Sequence, residues 1–230
     1  YSIPPLAQLA VEPRNGAFAP TAEALATTPG LSAAGIDEAF STAAPVSLYG
    51  ATKLASEALS LEYGDAFGWP VRINRCGVLA GARQFGKADQ GIFAFWLHSW
   101  RERRPLKYIG FDGHGHQVRD CLHPRDLAAL VALQLQAGDD RSKPRLANVS
   151  GGISSACSLQ QLSGWCTERW GPQQVSHNPE PRPYDLPWVV LNHAMASSSW
   201  GWTPQISTTT ILSEIAAFAE ENTNWISVSA

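Results

Sequence analysis

An α/β fold is expected from this sequence on three grounds. An apolar stripe at helical spacing, Leu54, Ala55, Ala58, Leu59 and Leu61, runs up to glycines at 64 and 68. An alternating stretch follows at once, with Val71 and Ile73 set against Arg72 and Asn74, then Cys76, Val78 and Leu79. Further helix and strand patterns succeed one another downstream, and 230 residues that are 44% hydrophobic can close a real core.

Taken in order, residues 1–45 are rich in Ala, Pro, Thr and Gly and show neither a 3.6 nor a 2.0 period. They are expected to be a long surface excursion with little regular structure, and a connection of that length is usually functional. The first helix is expected over 48–67 and the first strand over 71–79. Asp89 is placed to cap a second helix reaching about 103, which buries Ile92, Phe93, Trp96, Leu97 and Trp100. A strand over 106–111, a turn at Gly113-His114-Gly115-His116 and a short strand over 118–122 come next. Pro124 suits the first turn of a helix running to about 135, and 146–149 reads as a strand. Ser158 and Gln161 form a capping box for a helix that stops near Gly171. Residues 178–188 hold four prolines and form a loop, and the last helix spans 208–221. No repeat is visible.

Composition narrows the function. A formal net charge of -3 gives no electrostatic reason to bind nucleic acid. The basic cluster Arg101, Arg103 and Arg104 reads as a solvated helix end. The four cysteines include no C-x-x-C pair, so neither zinc nor a dithiol centre is expected, and reduced, mostly buried thiols fit a cytoplasmic protein. No apolar run approaches the roughly 18 residues of a membrane span. His114, His116 and His123 form an H-x-H…H set, but a glycine-rich turn without a thiol or carboxylate partner is read as non-metal. Trp96, Trp165 and Trp170 fall at helical spacing and read as core rather than as a sugar platform.

One pair carries chemistry. Tyr49 and Lys53 lie four residues apart on one helix and share a face. A neutral phenol is a poor base at pH 7, and a cation one turn away favours the phenolate. Such a pair can take a proton from a sugar hydroxyl. Alone it is a weak signal, since an exposed aromatic–lysine pair looks the same.

Its setting is more specific. The stretch from Pro45 to Glu57, PVSLYGATKLASE, resembles the active-site helix of extended short-chain dehydrogenases, the NAD-dependent epimerase/dehydratase family. Asn74-Arg75-Cys76-Gly77 resembles the family's R-C/H strand end. The run from Gln117 to Ala128 resembles its Q-V-R-D-x-x-H-x-x-D-x-A segment. Gly81-Ala82-Arg83-Gln84-Phe85, Asp89-Gln90-Gly91, Arg182-Pro183-Tyr184-Asp185 and the closing Trp200-Gly201-Trp202-Thr203-Pro204 bring the likeness nearest to the CDP-paratose (CDP-tyvelose) 2-epimerase subfamily.

The resemblance implies a partial Rossmann-like doubly wound parallel sheet plus a smaller α/β substrate-binding lobe. Residues 1–83 would belong to the dinucleotide-binding domain and 84–230 mainly to the substrate lobe, with roughly 119–150 returning to the sheet. It implies tightly held NAD, and a nucleotide-diphosphate sugar oxidised to a transient keto-sugar and then reduced from the other face. By the same analogy Tyr49 is the acid/base and Lys53 holds the nicotinamide ribose, while Arg75 and Cys76 lie beside the nicotinamide. Arg119 and Arg182 would bind the substrate pyrophosphate, Asp185 the nucleotide ribose, and Gln84 and Gln90 the sugar or nucleotide. A homodimer paired through the Tyr49 helix is the family habit.

Two departures qualify it. Val78 and Ala80 stand where relatives carry polar or aromatic side chains. Tyr1 matches the tyrosine that closes the family's S-x-x-V-Y-G strand, so the catalytic Ser/Thr and the glycine-rich phosphate loop have no counterpart here, and no G-x-x-G-x-x-G occurs. An N-terminally truncated member that binds NAD weakly is therefore expected. A 4,6-dehydratase with Asp37-Glu38 as its acidic pair, and a non-catalytic binding protein of the same fold, remain the alternatives.

Overall fold

The computed structural model describes residues 1–87, 90–180 and 182–227. The first 45 residues depart from expectation, because they are ordered into short elements. These are helix α1 (Ile3–Ala7), strands β1 (Val11–Arg14) and β2 (Ala17–Pro20), helix α2 (Ala22–Thr27) and strands β3 (Leu31–Ser32) and β4 (Gly35–Ile36). The turn between β1 and β2 is Asn15-Gly16, both at positive φ (49° and 76°), which is the geometry a two-residue hairpin demands. Leu6, Leu9, Leu31, Ile36 and Phe40 bury this segment against Val118, Trp188 and Val190.

Helix α3 (Ser47–Phe67) ends at Gly68 in the left-handed conformation. Strands β5 (Ile73–Cys76) and β6 (Val78–Leu79) split the expected 71–79 strand in two. The break is at Gly77, whose N–H still donates to Val149 O at 2.9 Å. A Cβ there would come within 2.6 Å of the Asp120 carboxylate, so the position has room only for glycine. Helix α4 (Ile92–Arg101) opens after Gly91, at φ 72°; the expected cap, Asp89, lies outside the described residues. Strand β7 (Leu106–Ile109) gives way at Gly110 to a single 3-10 turn, shortening the expected 106–111 strand. The arginines beyond α4 are not merely solvated. Arg103 donates to Pro172 O and Trp170 O, and Arg104 reaches Glu102 and Ser227.

Strand β8 (Val118–Leu122), helix α5 (Pro124–Ala137) and strand β9 (Leu146–Val149) fall where the sequence puts them. After strand β10 (Ala156–Ser158), helix α6 (Leu159–Trp170) carries the expected capping box in full. Strands β11 (Val175–Asn178) and β12 (Trp188–Val189), helix α7 (Ala194–Trp200) and helix α8 (Thr208–Glu221) complete the chain.

The pairing is largely parallel. β5 lies on β9, β6 and β12 on β8, and β11 on β7, with β10 antiparallel on β8. Parallel neighbours need crossovers, and helices supply them. The fold is thus Rossmann-like α/β, with β8 bordering both the parallel sheet and the pocket described below. One apolar cluster joins α4, α6, α8 and β7 through Trp96, Leu97, Trp100, Leu162, Ile211 and Ile215. A second joins β9, α5, α7 and Trp202. No helix among the described residues is long and apolar enough to cross a membrane.

Candidate active site

Strand periodicity builds one wall of the site. Successive side chains of β8 alternate between faces. Val118, Asp120 and Leu122 are 1–2% exposed, whereas Gln117 and Arg119, two apart, line a cleft of about 340 Å³. Ile92 and Phe93 at the start of α4, Cys157 and Ser158 of β10, Leu159 and Leu162 of α6, Val78, and the Arg182-Pro183-Tyr184-Asp185 loop close the cleft. It therefore brings together three expected site residues from distant stretches: Arg119, Arg182 and Asp185.

Their electrostatics are those of an anion site with one acceptor. Arg119 Nη1 donates to Val118 O (2.7 Å) and Leu186 O (2.9 Å), and Nη2 lies 3.6 Å from Asp185 Oδ1. Loss of hydration holds the Arg119 guanidinium below its usual pKa; Asp185 and Asp120 oppose that, and the nearby Arg182 adds to it. Two guanidiniums close enough to repel each other gain from an anion with several oxygens between them. Tyr184, in the same loop as Asp185, sits at φ 62° with its side chain largely exposed.

The remaining expected residues lie elsewhere. Tyr49 is 70% exposed on the first turn of α3, and Lys53 Nζ stands 5.2 Å from the centre of its ring, so the pair shares a face. Arg75 forms a two-point ion pair with Glu57 of α3, at 2.8 and 2.6 Å, and stacks on the Tyr1 ring. That pairing holds its pKa above the ordinary arginine value. Burial pushes the Cys76 thiol up. Gln84 Nε2 donates to Leu79 O (2.8 Å), and Gln90 is exposed. None of these six lines the cleft. Sequence reasoning missed Gln117 as a site residue, although it stands two places before Arg119 in an alternating stretch.

Asp37 and Glu38 have other partners. Asp37 accepts from Ala39 N (2.9 Å), and Glu38 accepts from Asn148 N (2.6 Å) on β9. His114 and His116 stack on each other, while His123 accepts from Arg125 N and meets Glu214 at 3.0 Å. Among the described residues no group of three His, Cys, Asp or Glu side chains could hold a metal ion.

The chain is 27% identical over 161 residues to a CDP-paratose 2-epimerase from Salmonella typhi, a match covering 69% of the chain and 47% of that relative. It is 27% identical over 184 residues to a dTDP-glucose 4,6-dehydratase from an Actinoplanes strain, covering 79% and 54%. A dTDP-6-deoxy-L-talose 4-dehydrogenase (NAD(P)(+)) from Kitasatospora kifunensis is 31% identical over 169 residues, covering 71% and 50%. The chain thus spans about half the length of these curated relatives. Among solved structures, a UDP-glucuronic acid 4-epimerase from Bacillus cereus, bound to UDP-glucuronic acid and NAD, superposes with a TM-score of 0.68 at 21% identity, over 84% of this chain and 59% of that one. With the parallel framework, the Tyr49–Lys53 pair and the two-arginine cleft in place, a profile match over residues 17–150 places the chain in the NAD-dependent epimerase/dehydratase family.

Proposed function

We propose that this chain carries the catalytic helix and the nucleotide-sugar pocket of an NAD-dependent nucleotide-sugar epimerase of the CDP-paratose 2-epimerase kind, acting in the cytoplasm. The observation that carries the reading is the convergence of Arg119, Arg182 and Asp185 on one cleft. That donor set matches a nucleoside diphosphate, with guanidinium forks for the pyrophosphate and a carboxylate for ribose hydroxyls. Glu38 supports epimerase over 4,6-dehydratase, because its carboxylate is already taken up by the edge of β9.

The residues present fit NAD in part. Tyr49 and Lys53 are exposed side by side and would hold the nicotinamide ribose. The glycine loop that would cradle the pyrophosphate has no counterpart in the 230 residues. Arg75, tied to Glu57, would hold α3 against the sheet beside the nicotinamide rather than grip the cofactor itself. Cys76, kept as a neutral thiol, would contribute packing there. Bound NAD would supply the hydride acceptor and donor. Tyr49 would take the proton from the reacting sugar hydroxyl and return it after the carbon changes hand, and Lys53 would place a positive charge beside that phenol. Arg119 and Arg182 would anchor the pyrophosphate, with Gln84 and Gln90 nearer the sugar, and the homodimer would form through α3.

Calorimetric titration of the chain with CDP and UDP tests the reading. Binding should weaken at least about tenfold in Arg119→Ala, the scale of a lost charge-assisted contact. Equal binding by wild type and variant would remove the cleft from nucleotide recognition.

A further inference from the structure

One wall of the cleft is tied to a distant turn of the chain. Gly91, Ile92 and Phe93 supply that wall at the start of α4. The backbone before them is packed without slack. A Cβ on Gly86 would lie 2.4 Å from Phe95 N and 3.0 Å from Gly91 O, and one on Gly91 would lie 2.7 Å from Phe85 O. Gly91 O also accepts from Phe95 N at 3.0 Å, in the first turn of α4. A shift of Phe85 and Gly86 therefore displaces Gly91 and the wall with it, because close packing transmits strain.

Gln84 and Phe85 are themselves gripped by Trp225, in the 3-10 turn Trp225–Ser227. The Trp225 ring stacks on Phe85 with 4.7 Å between centroids and 4° between planes, and its indole N–H donates to Gln84 O at 3.1 Å. It also meets Phe218 of α8 at 4.9 Å, perpendicular. The turn has its own anchors: Asn224 N donates to Glu102 Oε1 at 2.6 Å, Arg104 bridges Glu102 and Ser227, and Ile226 is buried. Phe85 is 52% exposed and belongs to none of the three apolar clusters, so its ring serves the stack rather than the core.

We propose that Trp225 is a positioning residue for the cleft. It clasps Gln84 and Phe85, and so holds the wall of Gly91, Ile92 and Phe93 in the shape that receives a nucleoside diphosphate. Trp225 is not among the residues that line the cleft, and acts on it only through that backbone. The proposal rests on the nucleotide-sugar reading above and adds to it a device outside the pocket.

Calorimetric titration with CDP and hydrogen-exchange mass spectrometry on the same proteins test it. Phe85→Ala and Trp225→Ala should each weaken CDP binding about three- to tenfold, the scale of one aromatic pair with a hydrogen bond beside it. The double variant should bind no more weakly than the worse single one, since both changes remove one contact. Trp225→Phe keeps the stack and should return binding to within about twofold of wild type, whereas Trp225→Leu, apolar but unable to stack, should not. In Phe85→Ala, exchange should quicken over 84–87 and 92–97 and stay unchanged in α8. That side chain is half in water, so its melting temperature should stay as in wild type and a folding defect would not imitate the effect. Wild-type CDP affinity in Phe85→Ala, additive losses in the double variant, or unchanged exchange over 92–97 would each overturn the positioning role. Failure of wild type to bind CDP would overturn the nucleotide reading, and exchange over 92–97 would then decide alone whether Trp225 holds the wall.

Discussion

Asp120 shows how one buried carboxyl group sets a pH response. It is 2% exposed, and burial pushes it up to about 6, against hydrogen bonds from Leu191 N and Ser150 that favour its charged form. The folded value lies above the unfolded one, so the unfolded chain gives up this proton first as pH rises. Stability is then unaffected below about pH 4, falls between pH 4 and 6, and levels off above, with a total loss of about 3 kcal/mol. Asp120→Asn should flatten this window. Denaturant midpoints at intervals from pH 4 to 7 check it, and parallel curves for the two proteins would refute the assignment. Tyr49 makes a different residue-level prediction. It is exposed and contributes little to packing, so Tyr49→Phe should leave melting of this chain unchanged; on the proposed function, in a form that also carries the glycine-rich NAD loop it should lower turnover at least about a hundredfold, the low end for a general acid/base. Retained turnover would end the acid/base role.

Elements were legible wherever their signal was local. The capping box of α6 and the proline opening α5 each lie within one element and appear where they were read, as does α8 over 208–221. Strands β10, β11 and β12 are two to four residues long and exist through pairing with segments 36 to 70 positions away, which no short window reveals. The β1–β2 hairpin did have a local marker in Asn15-Gly16, hidden because Pro13 and Pro20 interrupt the alternation a strand should show. The cleft was legible only through family likeness, since Arg119 and Asp185 meet across a loop that carries no periodic pattern. A contact at the start of α5 links elements that the sequence does not connect. Asp126, 5% exposed, accepts from Gln205 N and Ile206 N at 3.1 and 3.0 Å, and its carbonyl takes the Trp202 indole N–H. Asp126→Ala should cost about 2–4 kcal/mol, with Asp126→Asn recovering part of it, because an oxygen acceptor remains. Urea midpoints measure both, and a loss under about 0.5 kcal/mol in the alanine variant would show that α8 is held by its apolar face alone.

At the scale of the molecule, α3 stands apart from the rest. It is 21 residues long, yet Gly64 is its only buried residue, and none of its side chains belongs to the three apolar clusters. Its attachment is polar: Arg75 holds Glu57, and Arg145 holds Asp65 and Leu61 O. Leu59, Tyr63 and Phe67 face outward at four-residue spacing, and Phe67 stacks on both Tyr63 and Trp69. Ion pairs near the surface contribute roughly 1 kcal/mol or less each, far below what buried apolar packing gives α8. Local opening follows the weakest attachment. In a dilute solution of this chain, amides of α3 should therefore exchange hydrogen well before those of α5 and α8. Arg75→Leu should hasten exchange in α3 and leave α8 unchanged. Pairing of two copies through the exposed stripe would add protection that grows with protein concentration, and Phe67→Glu should abolish that growth. Hydrogen-exchange mass spectrometry at two concentrations measures all three effects. Protection of α3 equal to that of α8 in dilute solution would mean that its few polar ties suffice, and that the helix bearing Tyr49 and Lys53 is as firmly seated as the core.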